Sequence, residues 1–110
     1  LDWIGSRIAL RISDLQNEQK NVSIGGVVTY IGQSRDVSLK SGNIEKVTTI
    51  TIQDDSGSIP VNIWGSLIEK IKINSEIRVE KGYVNEFRNQ LQFNLGYYGK
   101  LFILLDSENK

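Results

Sequence analysis

Two strand-like runs joined by one acidic turn constrain this chain more than any other feature. Ile44–Gln53 is dominated by Val47, Thr48, Thr49, Ile50, Thr51 and Ile52, and Ile59–Trp64 alternates aliphatic residues with others. β-Branched residues at this density favour extended backbone. Between the runs stands Asp54-Asp55-Ser56-Gly57, in which Asp suits the first turn position and Gly accepts the left-handed one. The pattern predicts a β-hairpin. Its second strand carries an anomaly: Ile59, Val61 and Ile63 share one face, so alternation sends Trp64 to the other, beside Asn62. A large flat ring among polar neighbours on a sheet surface suggests a stacking platform for a ligand.

The flanking sequence extends the pattern. Val22–Ile31 reads as a strand with a bulge or bend at Gly25-Gly26, followed by a polar loop over Gly32–Asn43. Gly65 breaks the third strand, and Ser66-Leu67-Ile68-Glu69 matches a capping box opening a short helix, with Leu67, Ile68 and Ile71 on one side. Glu76–Val84 is the fourth strand, with Ile77 and Val79 inward and Arg78 and Glu80 outward. Asn85–Gln90 is a polar turn holding Phe87. Leu91–Leu95 is the fifth strand, with Leu91, Phe93 and Leu95 on one face and Gln92 and Asn94 on the other. Tyr97–Leu105 is apolar enough for a final packed segment. Three strands, a short helix and two strands is the order of an all-β, five-stranded OB-fold, a Greek-key barrel with one helix between strands three and four. An SH3-like barrel lacks that capped helix, and an immunoglobulin-type sandwich needs about seven strands.

Residues 1–20 are the least strand-like and form an N-terminal arm. Trp3, Ile4, Ile8 and Leu10 are expected to pack it on the domain or to lead into an upstream module, and Ser13-Asp14-Leu15-Gln16 matches another capping box. The domain itself is assigned to 21–105 and a frayed tail to 106–110. The chain has no methionine, even at position 1, so Leu1 is expected to be an internal residue of a longer protein.

Composition narrows the chemistry. The chain has no cysteine and no histidine, which removes disulfides, thiolate metal sites and the commonest general base. No apolar run approaches the ~20 residues of a membrane-spanning helix, and no signal peptide is visible. Thirteen basic residues balance thirteen acidic ones, which argues against capture of nucleic acid by long-range electrostatics. Any such binding rests on stacking and local patches. Asp54 and Asp55 are an adjacent carboxylate pair, but turn chemistry accounts for both, and adjacent residues point apart. With no nucleophile–base pair or phosphate loop, an enzyme, a metal or another cofactor is not expected.

The stretch from Val47 to Trp64, an aspartate-rich turn ending in Gly followed by a strand ending in Trp, resembles the single-stranded DNA-binding OB domains of archaeal replication protein A and of the simple archaeal and human single-stranded DNA-binding proteins. The continuation Ile77-Arg78-Val79-Glu80-Lys81-Gly82-Tyr83-Val84-Asn85-Glu86-Phe87 and on to Asn94 is similar to that family's fourth strand, aromatic-bearing turn and fifth strand. Ile12-Ser13-Asp14-Leu15 and Lys20-Asn21-Val22 fit its entry segment, so the resemblance spans roughly Ile12–Gly96. It implies that Trp64, Tyr83 and Phe87 stack on bases. In some relatives another aromatic stands two residues before the glycine that ends the fifth strand; here that place is Asn94. The implied ligand is single-stranded DNA. The implied partners are sister OB domains or other replication proteins, in an archaeal cytoplasm or a eukaryotic nucleus, with no membrane.

From the residues alone, Tyr83 shares parity with Ile77 and Val79 and would be buried, unless a bulge at Gly82 re-aims it. Phe87 sits at a polar hairpin tip with little to pack against. Candidate phosphate contacts are Arg35, Lys40 and Lys46 around one loop and Lys81 and Arg88 around the other; the arginines are favoured because guanidinium also stacks. Asn62, Gln92 and Asn94, with Thr49 and Thr51, are candidates for lining the groove. Two rival functions share these residues: a protein-interaction OB module, and an RNA- or tRNA-binding one.

Overall fold

In the computed structural model, residues 10–96 and 99–105 are described; the expected packing of Trp3, Ile4 and Ile8, the residue Tyr97 and the 106–110 tail lie outside them. The β-branched runs form β1 (Lys20–Ile31), β2 (Arg35–Ser38), β3 (Ile44–Gln53), β4 (Ser58–Trp64), β5 (Glu76–Phe87), β6 (Gln90–Leu95) and β7 (Lys100–Leu105). Five of these close on themselves in the order β1-β3-β4-β6-β5, with β5 returning to β1. The β4–β6 pair is parallel and the other pairs are antiparallel. This is the expected all-β OB barrel, extended by β2 on β3 and by β7 on β5.

Alternation placed the core correctly. Ile59, Val61, Ile63, Ile77, Val79, Phe93 and Leu95 are all buried, and Leu91, Ile68 and Leu67 pack partly against them. Both β6 and β7 run along β5, one opposite Tyr83–Phe87 and the other opposite Glu76–Glu80. They thus pair with successive stretches of β5. Of β7 only Leu101 packs on the core, while Phe102, Ile103, Leu104 and Leu105 stand exposed. No helix among the described residues is long and apolar enough to cross a membrane.

Several local expectations are corrected. The polar loop over 32–43 contains a strand: Arg35–Ser38 pairs with Ile44–Val47, because the long β3 offers a free edge there. The segment after Trp64 is a 3-10 helix at Gly65–Lys70 with Trp64 as its N-cap and no side-chain cap; Ser66 already lies within the first turn, so the capping box does not form. The same holds at Ile12–Asp14, a 3-10 turn capped by Arg11 without a side-chain bond. Ser13 instead donates its backbone N–H to Ser56 Oγ. Leu10 is exposed, and the entry segment is anchored by the buried side chains of Ile12 and Leu15. Gly25 and Gly26 stay in register with Arg78 and Ile77, and the β1 irregularities lie on either side of them. Gly26 is needed for a different reason: a Cβ there would lie 2.5 Å from the carbonyl oxygen of Gln53, where β1 and β3 cross.

The turn between β3 and β4 is organised by Asp54. Its carboxylate accepts from Ser56 N (2.7 Å), Ser56 Oγ (2.6 Å), Gly57 N (3.1 Å) and, across the fold, Ile12 N (2.9 Å). Partial burial pushes the Asp54 carboxyl up, but these four bonds outweigh it and hold the group below its ordinary value. A carboxylate with a depressed folded-state pKa stabilises the fold above its unfolded pKa, about 3.9, and loses that contribution as pH falls through the folded value. Asp54→Ala should therefore lower stability by on the order of 1 kcal/mol at pH 7. In denaturant melts, the gap to wild type should shrink below about pH 4. Asp55 is exposed and paired with Arg11 at 3.6 Å. Among the described residues no group of three His, Cys, Asp or Glu could hold a metal.

Candidate nucleic-acid interface

The outer face of β3, β4, β6 and β5 holds most of the candidate residues, and strand register determines how they meet. Val47 is opposite Trp64, Thr49 opposite Asn62, Asn62 opposite Asn94, and Asn94 opposite Tyr83. Tyr83 reaches this face through a change of phase in β5. Ile77 and Val79 are buried before it, and Gly82 and Val84 after it, so the inward parity switches from odd to even. The switch falls at Lys81, whose φ is 62°, beside a register shift in the β1–β5 pairing. Gly82 permits it, because any Cβ there would collide with the Phe93 ring. Tyr83 is consequently 43% exposed.

Trp64, half-buried at the end of β4, and Tyr83 line one open cleft of about 510 Å³, with Leu39, Leu67, Leu95 and Glu45. Gly96 forms its floor on the Tyr83 side; a Cβ there would be 3.5 Å from Tyr83 Cε1. Phe87 shares the face with Tyr83 but lies four residues further along β5, roughly 13 Å away at strand rise. Contrary to the expectation of a loop-tip ring, Phe87 is the last residue of β5 and pairs with Gln90. The turn itself is only Arg88-Asn89, both with positive φ (54° and 66°), as a tight two-residue hairpin demands. Arg88 folds back over the Phe87 ring, 5.0 Å from its centroid, and Phe87 remains 57% exposed.

Between the rings runs a ladder of polar side chains. Arg35 Nη1 donates to Thr49 Oγ1 (3.1 Å), and Thr49 Oγ1 donates to Asn62 Oδ1 (2.7 Å). Asn62 Nδ2 donates to Asn94 Oδ1 (2.8 Å) and Gln92 Oε1 (3.2 Å), and Asn94 Nδ2 donates to Asn85 Oδ1 (3.0 Å). Asn62 and Asn94 are each only 7% exposed. Buried amides need partners, and here each supplies the other's. They brace the face across four strands rather than offering free donors and acceptors.

The structure thus brings together Trp64 and Tyr83, joins Arg35, Asn62, Gln92 and Asn94 in one network, and pairs Phe87 with Arg88. It leaves three basic candidates apart. Lys46 is in register with Asp36 and bonded to it at 3.1 Å, and alternation puts both on the side of the β2–β3 hairpin away from Arg35. Lys40 is exposed in the turn of that hairpin, and Lys81 is exposed at the β5 phase switch. Sequence reasoning did not single out Asn85 or Glu45. Asn85 shares parity with Tyr83 and Phe87, a signal that becomes readable once the phase switch is known. Glu45 enters the site through the β3–β4 register, which sets it diagonal to Trp64.

Known proteins share this architecture. The chain is 21% identical over 91 residues to the Single-stranded DNA binding protein Ssb of Saccharolobus solfataricus, covering 83% of this chain and 61% of that protein. It is 28% identical over 103 residues to Replication factor A of Methanothermobacter thermautotrophicus, covering 90% of this chain and 13% of that one. The chain thus spans less than two thirds of either relative. In fold it is similar to the replication Factor A related protein of Methanobacterium thermoautotrophicum, with a TM-score of 0.77 at 21% identity, covering 87% of this chain and 90% of that one. The tRNA_anti-codon family model, an OB-fold nucleic acid binding domain, matches residues 22–101. The barrel, its outer face and this match together make the chain a member of the OB-fold nucleic acid binding domain family.

Proposed function

We propose that this domain binds single-stranded DNA with little sequence preference, as a non-enzymatic module of a replication protein A-like protein acting in replication or repair. The observation that carries the reading is the convergence of Trp64 and Tyr83 on one open cleft, with Phe87 further along the same strand face. Bases stack on these rings, and Arg35 and Arg88 meet the backbone at the edges. Lys40 and Lys81 are exposed and add phosphate contacts. Two relatives support the ligand: one is named for single-stranded DNA binding and the other for replication. Little sequence preference follows from the ladder, since Asn62, Gln92 and Asn94 already satisfy one another and aromatic faces accept any base. One such domain covers about 4–5 nucleotides, so tight binding calls for sister OB domains acting in tandem. The 13% coverage of the longer relative is consistent with such a tandem setting.

The electrostatic share is small. With two to four phosphate contacts, the affinity for a fluorescently labelled single strand should fall with log salt at a slope of roughly −1.5 to −3. A slope near −8 would show that charge rather than stacking holds the strand, and absence of binding at low salt would overturn the reading. A protein-contact role is the second reading, favoured by the four exposed apolar side chains of β7. It places the contact away from Trp64. RNA is separated from DNA in the same titration by a ribose strand of identical sequence.

A further inference from the structure

The cleft contains one group that a phosphate-binding surface would not be expected to hold. Glu45 lies two residues before Val47, the direct partner of Trp64, and is therefore the diagonal neighbour of Trp64 on the same face. Diagonal neighbours stand about 7–8 Å apart at the backbone, within reach of an aromatic ring and a long side chain. The carboxylate reaches the cleft lining at Gly65: a Cβ built on Gly65 would lie 3.8 Å from Glu45 Oε1. Glu45 lines the same cleft as Trp64 and Tyr83, and among the described residues no hydrogen bond or ion pair occupies it. By register Arg35 is a diagonal neighbour of Glu45 on the same face, yet its guanidinium is engaged elsewhere. Arg35 is opposite Val47, and its guanidinium reaches on to Thr49, away from Glu45.

We propose that Glu45 is a specificity-determining residue that favours a stacked base carrying an exocyclic amine, so that cytosine is preferred over thymine. The inference rests on the stacking role proposed for Trp64. A nucleotide lying on that ring with its base edge turned toward Glu45 meets a hydrogen-bond acceptor there. An ionised carboxylate only accepts hydrogen bonds. Cytosine presents an N4 amine to it, whereas thymine presents the O4 carbonyl at the equivalent place, lone pair against lone pair. Both rings are pyrimidines, so stacking area does not explain a difference between them. The result is a composition bias laid over a binding mode that otherwise accepts any base.

The test compares dC and dT oligomers of equal length, at one salt concentration and pH 7, on the wild-type chain and on Glu45→Gln. Glutamine keeps the size of the side chain and offers a donor as well as an acceptor, so it suits either base. Wild type should bind dC about five-fold more tightly than dT, and the ratio should fall to about one in Glu45→Gln. Equal binding of dC and dT by wild type overturns the assignment while leaving the stacking mode intact. A dC preference that persists undiminished in Glu45→Gln also overturns it. If neither oligomer binds wild type, the stacking reading itself fails and this one falls with it.

Discussion

Truncating Trp64 to alanine should weaken binding of single-stranded DNA by about 1–3 kcal/mol, or five- to 150-fold in Kd, the usual worth of one base stacked on an aromatic ring. The expectation follows from position. Trp64 ends β4, one residue beyond Ile63, where the β4–β6 pairing stops opposite Leu95. It lines the open cleft together with Tyr83. Its inward neighbours Val61 and Ile63 are fully buried, whereas Trp64 is not part of the core, so its loss should leave the barrel standing. A denaturant midpoint close to wild type, measured alongside the affinity, separates loss of the platform from loss of the fold. A folded Trp64→Ala protein with wild-type affinity would place the binding elsewhere, with β7 the next surface to examine.

Gly82→Ala should damage fold and binding together, lowering stability by about 1–3 kcal/mol through overpacking. A Cβ at this position would overlap the Phe93 ring and lie 2.7 Å from the carbonyl oxygen of Asn94. Phe93 is fully buried and cannot move outward without opening the core. Relief has to come from the backbone near Asn94, which carries one rung of the amide ladder, or from the β5 phase switch that exposes Tyr83. Either shift disturbs the interface. Urea denaturation should show a reduced midpoint, and oligonucleotide affinity at low denaturant should fall as well. A variant with wild-type stability would mean that Gly82 is not what sets the close approach of β5 and β6.

The barrel was readable from the residues because inward faces alternate. Ile59, Val61 and Ile63 declare the core face of β4, and by exclusion Trp64 declares the other. Asp54 and Gly57 declare the turn through their own local chemistry, as the three hydrogen bonds from Ser56 and Gly57 to the Asp54 carboxylate attest. What alternation reports is which face a side chain shares, not whether that face is covered. Asn62 and Asn94 were therefore placed on the correct face, but their burial could not be foreseen; it depends on bonds that join two hairpins across β4 and β6, which are distant in sequence. Strand β2 was missed because Arg35-Asp36-Val37-Ser38 has no pattern of its own and becomes a strand only by borrowing the edge of β3. Ser66 and Ser13 match capping boxes as strings, yet each segment begins its turn two residues earlier, at Trp64 and Arg11. For Tyr83, parity alone points inward. Gly82 hints at the switch, but the side chain that makes it necessary, Phe93, lies eleven positions further on.

The central claim is that the Trp64 ring is itself the surface a base lies on. Its own fluorescence tests this most directly, in a Trp3→Phe background that leaves Trp64 as the sole tryptophan. Addition of a mixed-sequence single-stranded oligonucleotide at low salt should quench that emission in a saturable way, with the same midpoint as binding followed by a label on the DNA. Saturable binding seen by the label, with Trp64 emission unchanged throughout, would contradict the account.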